Sequence, residues 1–375
     1  MAVPYVIQPG DTWFRLAERT GVPVGELAEL NRNMHPGPSE YLLPGQVIFV
    51  PIAPMERRLV DRARKGELLT GAGPYGYVEL IRDVQLFMIR YPFVQLEWIG
   101  RSVMGRPIPV VRLGIGPYEV HANGAFHANE WITTPLLMRF MEQLSEAVSR
   151  GSGLGKMDPR EVRSLYSDVT LWVVPMVNPD GVELVHGGIW PDHPYGSRLL
   201  EWNRGSWNFT GWKANIRGVD LNDQFPAFWE EERDRRTAGA PGPGPRDYTG
   251  IAPLTEPEAQ AMAQFTRYRD FRLALAFHTQ GEEIYWNYRG LEPSASAGIA
   301  ERLGLASGYK PVKLSGSDAG YKDWFILQYR RPAFTVELGQ GVNPLPLEQF
   351  PDIYARMEPL LLEAMRAARE LTGDR

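Results

Sequence analysis

The 375-residue chain has no cysteine. Disulfide staples, thiolate metal sites and cysteine nucleophiles are therefore all excluded. It also has no long apolar run: stretches such as Leu171 to Val177 are strand-length, well short of the roughly 18 residues that a spanning helix needs. No membrane segment is expected. Basic charge is not in excess either. A formal net charge of -5 offers nothing to nucleic acid or to an anionic membrane, so neither is expected as a partner. There is no Gly-x-Ser-x-Gly elbow, which argues against a serine hydrolase. Histidine is scarce: the six are His35, His121, His127, His186, His193 and His278.

What remains is ordinary globular composition, 43% hydrophobic and 23% charged, in a chain long enough for two domains. Residues 1–52 stand apart. Tyr5-Val6-Ile7 reads as a strand, and Pro9-Gly10-Asp11-Thr12 as a turn into a helix that Asp11 or Thr12 caps. Leu16-Ala17 and then Leu27 and Leu30 sit at helical spacing, interrupted at Gly21-Val22-Pro23, and Val47–Val50 forms a second strand. The order strand, helix, helix, strand in so few residues suits a binding module, not an enzyme.

Tyr5-Val-Ile-Gln-Pro-Gly-Asp-Thr-Trp, Leu27 with Asn31, and Leu43-Pro-Gly-Gln-Val-Ile-Phe-Val-Pro resemble a LysM domain over its whole length. The resemblance implies a small α+β module that binds the N-acetylglucosamine-containing glycan of peptidoglycan or chitin, with Gly10, Asp11, Thr12 and Asn31 as its contacts. A structural module that has lost binding stays open as an alternative, and one copy binds weakly without avidity.

Residues 53–70 are charge-rich and read as a linker; 71–375 form the second domain. Strand-like runs at 96–99, 108–113, 169–177, 273–278 and 333–337 alternate with helical segments at 78–91, 133–148 and 256–268. Alternation of this kind indicates an α/β domain around a buried sheet. Thr255 to Glu258 fits a capping box. Residues 235–253, rich in glycine and proline, read as an exposed loop, and 347–371 as a closing helix.

His127-Ala-Asn-Glu130 sets an imidazole and a carboxylate three residues apart. Alone the spacing is weak. Its place strengthens it, after an Asn-Gly turn and before a helix, since ligand sites of open α/β sheets occur at strand-to-helix junctions. His278 ends the run Leu273-Ala-Leu-Ala-Phe. Two histidines and a glutamate leave a fourth position for water, the ligand set of a catalytic zinc site.

Five ordered motifs then resemble the zinc carboxypeptidase family across about 300 residues: His127-Ala-Asn-Glu-Trp-Ile-Thr, Asn178-Pro-Asp-Gly, Gly218-Val-Asp-Leu-Asn, His278 and Thr335-Val-Glu-Leu-Gly. The resemblance implies a mixed sheet flanked by helices and one zinc ion per chain held by His127, Glu130 and His278. It also implies Glu337 as the carboxylate that takes a proton from the attacking water and passes it to the leaving amine. The family's carbonyl-polarising arginine is replaced by Lys213, after Trp212. Lys213 keeps the charge without the planar fork. The family's mobile tyrosine has no clear counterpart near Ser315, where the chain reads Ser-Gly-Ser.

A second departure bears on substrate. Where digestive members hold the terminal carboxylate with Asn-Arg, this chain has Asn222-Asp223. An aspartate repels a carboxylate and accepts an ammonium. Diaminopimelate, a cross-linking residue of bacterial walls, carries both groups at its far end, and Lys322 falls where it would meet the carboxylate. The segment 213–227 is also similar to that of bacterial γ-D-glutamyl-diaminopimelate endopeptidases. Two alternatives stay open: a general metallocarboxypeptidase acting on ordinary peptides, and a wall-binding protein with a dead peptidase domain. Met1-Ala-Val-Pro-Tyr5 has no signal-peptide pattern, so cytoplasm and wall both remain open as the place of action.

Overall fold

The computed structural model describes residues 2–7, 11–20, 22–32, 42, 46–51 and 73–371; the expected linker and Gly10 lie outside them. In the N-terminal module, β1 (Ala2–Val6) pairs antiparallel with β2 (Val47–Pro51), and α1 (Trp13–Thr20) and α2 (Val24–Leu30) pack beside them. Ile48 and Val50, two apart on a strand, point to the same face and meet Tyr5, Trp13, Leu16 and Leu27 in a core of their own. Thr12 caps α1 by accepting from the Arg15 amide at 3.2 Å, as the sequence predicts. The ring of Phe49 meets Trp98 of the larger domain edge-on, centroids 6.2 Å apart.

The larger domain opens with α3 (Tyr77–Arg90), then β3 (Gln95–Arg101), β4 (Pro107–Leu113) and β5 (Tyr118–Gly124). Next come α4 (Thr133–Arg150), α5 (Pro159–Asp168), β6 (Val169–Val174), α6 (Pro179–Gly187), α7 (Gly196–Trp202) and α8 (Trp229–Thr237). The chain continues through α9 (Pro257–Arg267), β7 (Phe271–His278), β8 (Glu283–Tyr285) and α10 (Ala295–Ser307). It ends with β9 (Lys310–Val312), α11 (Tyr321–Tyr329), β10 (Ala333–Glu337) and α12 (Phe350–Glu370). Eight strands form one mixed sheet in the order β3-β4-β6-β5-β7-β10-β8-β9, parallel from β6 through β10.

The strands of that central block are covered on both faces, so they read as nearly unbroken apolar runs. Leu171, Val173, Leu273, Leu275 and Phe277 join one core, with α3, α4 and α12. Their chain neighbours Trp172, Val174, Ala274 and Ala276 join the other, with Phe225, Phe265, Tyr321 and Trp324. The two-residue period of a strand thus sorts each run between two layers.

Three local expectations change. The Asn123-Gly124 pair ends β5 instead of forming a turn. Thr255 and Glu258 make no capping box: the Thr255 hydroxyl reaches Gln224 Oε1 at 3.1 Å, and buried Glu258 accepts from the Val103 amide at 3.0 Å. Residues 235–237 belong to α8, so the irregular stretch begins only after them.

Candidate metal centre and substrate pocket

Beyond β5 the chain runs through His127 into one turn of 3-10 helix, Ala128–Glu130, which folds Glu130 back onto His127. His127 Nδ1 lies 2.9 Å from Glu130 Oε1. His278, the last residue of β7, brings its Nδ1 to 3.1 Å from His127 Nδ1 and 2.9 Å from Glu130 Oε2. All three side chains are buried. The Thr279 amide (3.2 Å) and Asn343 Nδ2 (3.3 Å) fix the Glu130 carboxylate from outside.

This donor set fits a zinc ion. Four ligands at 2.0–2.1 Å in tetrahedral geometry stand about 3.3 Å from one another, close to the separations here. Burial pushes the His127 imidazolium down, yet the carboxylates of Glu130 and Asp220 outweigh it and raise its pKa to about 9. Against the same effect of burial, His127 and His278 hold Glu130 well below the usual carboxylate range. The site favours positive charge between its ligands, and a divalent cation supplies that charge in place of a proton.

Asp220 links the metal set to Lys213. Its Oδ1 lies 3.2 Å from His127 Nε2, and its Oδ2 is 2.7 Å from Lys213 Nζ. Carboxylates behind ligating imidazoles fix ring orientation and tautomer. Lys213 Nζ also meets Asp247 Oδ1 at 3.2 Å. Gly218 sets up this segment in the left-handed region, φ +72°, where a Cβ would stand 2.7 Å from the Gly244 nitrogen.

Asn178 ties the two halves of the centre together. Its Oδ1 caps α6 through the Gly181 amide (3.0 Å), while Nδ2 donates to the carbonyls of Phe126 and Ala214, each at 3.1 Å. These carbonyls are neighbours of His127 and Lys213. A Cβ on Gly181 would meet the Ala214 oxygen at 2.7 Å, so the Asn-Pro-Asp-Gly motif is a packing requirement of the centre.

Glu337 ends β10 as the register partner of His278 on one side and Glu283 on the other. Burial first, then the negative charge of Glu130, pushes its carboxyl up to about 8, against the cations His127 and Lys213. A group titrating there is suited to taking and returning a proton near neutral pH.

Asn222 and Asp223 sit in a turn of 3-10 helix after Asp220. Asn222 Oδ1 accepts from the Tyr321 amide at 3.2 Å. Asp223 is buried; its Oδ2 lies 3.4 Å from Arg236 Nε and makes no hydrogen bond among the described residues. Arg236 is shared further with Glu232 (2.6 Å) and Asp247 (3.4 Å). Burial, then Asp220, pushes Asp223 up to about 8.

A model of the zinc carboxypeptidase family matches residues 81–355, and one of the LysM domain matches residues 5–51. The chain belongs to the zinc carboxypeptidase family. It is 49% identical over 292 residues to gamma-D-glutamyl-L-diamino acid endopeptidase 1 of Lysinibacillus sphaericus, covering 76% of this chain and 71% of that relative. An uncharacterized Bacillus subtilis protein, YqgT, is 43% identical over 289 residues, 76% of this chain and 75% of its own. Among solved structures, thrombin-activatable fibrinolysis inhibitor superposes with a TM-score of 0.64 at 18% identity, over 87% of this chain and 84% of its own. Carboxypeptidase A of Helicoverpa armigera gives 0.61 at 18%, over 88% and 90%. Both show the carboxypeptidase fold.

In this member of the zinc carboxypeptidase family His127, Glu130 and His278 converge, with Lys213 joined to them through Asp220 and Glu337 in register with His278. Two other expectations need correction. The Lys322 ammonium is buried, paired with the adjacent Asp323 carboxylate and bonded to the Asn287 carbonyl at 2.9 Å. Its charge is neutralised within the protein, so it is not poised to receive a substrate carboxylate. In the LysM module Asn31 is 1% exposed. Its Nδ2 donates to the Leu27 and Phe49 carbonyls, both at 2.7 Å, and its Oδ1 accepts from the Phe49 amide. Asn31 holds α2 to β2 and has no donor left for glycan. Sequence reasoning passed over Asp220, Asp247 and Arg236; only Asp220 left a signal, its place inside the Gly218-Val-Asp-Leu-Asn motif.

Proposed function

We propose that the chain is a zinc peptidase that cleaves peptidoglycan stem peptides at the γ-D-Glu–meso-diaminopimelate bond. Residues 71–375 do the chemistry and the module of residues 1–52 holds the glycan, Asp11 and Thr12 among its contacts, across the linker 53–70. The observation that carries this reading is the 49% identity to an endopeptidase named for γ-D-glutamyl-L-diamino acid peptides. The pocket supports it. Asp223 lies 3.4 Å from an Arg236 guanidinium that also serves Glu232 and Asp247, so its carboxyl is incompletely paired. A diamino acid brings a second ammonium to such a pocket, and Asp223 Oδ2, buried without a hydrogen bond among the described residues, is a fitting acceptor.

His127, Glu130 and His278 hold zinc in this reading. Bound there, zinc supplies Lewis acidity that polarises the scissile carbonyl and acidifies the attacking water. Glu337 takes the water's proton and returns it to the departing amine, and Lys213 donates to the oxyanion developing on the γ-carbonyl. Asp220 keeps both His127 and Lys213 in place.

The test is mass spectrometry of digests of L-Ala-γ-D-Glu-meso-diaminopimelate, with and without a chelator. L-Ala-D-Glu and free diaminopimelate are expected, and the chelator abolishes both. Replacing the diamino acid by norleucine removes only the far polar end and should cost about 10-fold or more in kcat/KM, the scale of one charge-assisted hydrogen bond. Asp223→Asn should erase that preference. Equal rates on the two peptides with the wild type would overturn the role of Asp223.

A further inference from the structure

The residues leading to Lys213 build a stiff loop with an indole at its crown. Between α7 and Trp212, the Asn203 side-chain amide donates to the carbonyls of Ser206 (2.7 Å) and Asn208 (3.0 Å). Ser206 Oγ accepts from the Asn208 amide at 3.2 Å. Asn208 Oδ1 accepts from both the amide (3.0 Å) and the hydroxyl (2.7 Å) of Thr210. Phe209 turns inward onto Trp212, ring centroids 5.7 Å apart, and buried Trp212 donates from Nε1 to the Asn215 carbonyl at 3.1 Å. Trp207 does the opposite and remains 68% exposed.

A single exposed apolar side chain is ordinary. Trp207 differs because the loop around it is fixed by its own side chains and anchored through Phe209 and Trp212. Its flank also carries amide and hydroxyl groups, Ser206, Asn208 and Thr210. An indole beside such groups complements a pyranose, which has an apolar C–H face and a polar rim; an aromatic ring also offers large contact area at small entropic cost.

We propose that Trp207 and its flank form a carbohydrate subsite on the catalytic domain, which takes the lactyl-bearing amino sugar to which the stem peptide is attached. This rests on the substrate reading above. The chemistry of that substrate fixes the reach required. D-Glu, L-Ala and the lactyl group separate the scissile bond from the sugar; with the two extra carbons of the γ-linked D-Glu they span about 13 Å when extended. Trp207 lies six residues before Lys213, a tether of about 20 Å at most that the inward turn at Phe209 shortens. In the proposed reaction Lys213 would meet the γ-carbonyl, so this tether keeps Trp207 within reach of the acyl side of the bond. The subsite would let the enzyme sense the sugar nearest the peptide, which a LysM module bound elsewhere on the strand cannot do.

The experiment compares kcat/KM of the full chain on two substrates: the free tripeptide L-Ala-γ-D-Glu-meso-diaminopimelate, and the same peptide carrying its disaccharide. Wild type should favour the disaccharide form by about 5-fold or more, the scale of one stacking contact. Trp207→Ala should remove that advantage through KM and leave the rate on the sugarless peptide in place, and Trp207→Tyr should keep most of it. Both substrates falling together in Trp207→Ala would mark a structural residue and overturn the proposal, as would an advantage unchanged by the substitution. A wild type that cleaves the sugarless peptide without preferring the disaccharide form overturns the subsite alone. A wild type that cleaves neither overturns the substrate reading with it.

Discussion

At the residue scale, the proposed reaction divides metal binding from proton transfer. Glu337 belongs to β10 and is not one of the three converging ligands. Glu337→Gln should therefore lower kcat by about 10²–10⁴-fold with zinc content, read by metal analysis, unchanged. Lys213→Met should cost about 10²–10³-fold in kcat, with partial recovery in Lys213→Arg; a merely solvated lysine would show no loss. His127 and Glu130 were legible in the sequence because they are three residues apart and share one turn. The contact of Asp220 with His127 was not, because it spans a separation of 93 residues. Lys322 misled for the opposite reason: the sequence shows its charge but not the Asp323 carboxylate turned onto it.

At the scale of elements, the apolar strands β6 and β7 and the long helices were readable from pattern. β5 was not, since its Glu119, His121 and Asn123 break the apolar run. His121 is nonetheless buried and bonded to the Trp172 carbonyl and to Asn123. Burial pushes its imidazole down to about 3, so it packs as a neutral ring. α8, Trp-Glu-Glu-Glu-Arg-Asp-Arg-Arg-Thr, buries only Trp229 and Glu232 and so carries no apolar stripe to reveal it. Between elements, Asn178 makes the sharpest prediction. Asn178→Ala removes a helix cap and leaves two buried carbonyls unpaired, which should cost about 2–4 kcal/mol in urea unfolding. Zinc affinity should fall with it, because the Phe126 carbonyl beside His127 loses its anchor.

At the scale of the whole molecule, stability should fall as pH rises across the neutral range. Glu258 is pushed up to about 8 by burial and by Asp180, while its unfolded value is near 4.5. The native state thus holds a proton that the unfolded chain has released, so this contribution is complete below about pH 4.5 and lost as pH rises through about 8. The slope is at most about 1.4 kcal/mol per pH unit for one proton. Urea midpoints at pH 5 and pH 8, with zinc saturating, should differ less in Glu258→Gln than in the wild type. The sheet carries a further consequence. Because Glu337 and His278 are register partners on neighbouring parallel strands, the gap between the proposed proton acceptor and the proposed metal ligand is ruled by the strand spacing, about 4.8 Å. A one-residue slip of β10 would send Glu337 to the opposite face and drive Phe334 and Val336 out of their core into the other layer. A misaligned chain therefore loses its core before it could yield a slightly wrong enzyme, and the fold proofreads the distance on which the chemistry depends.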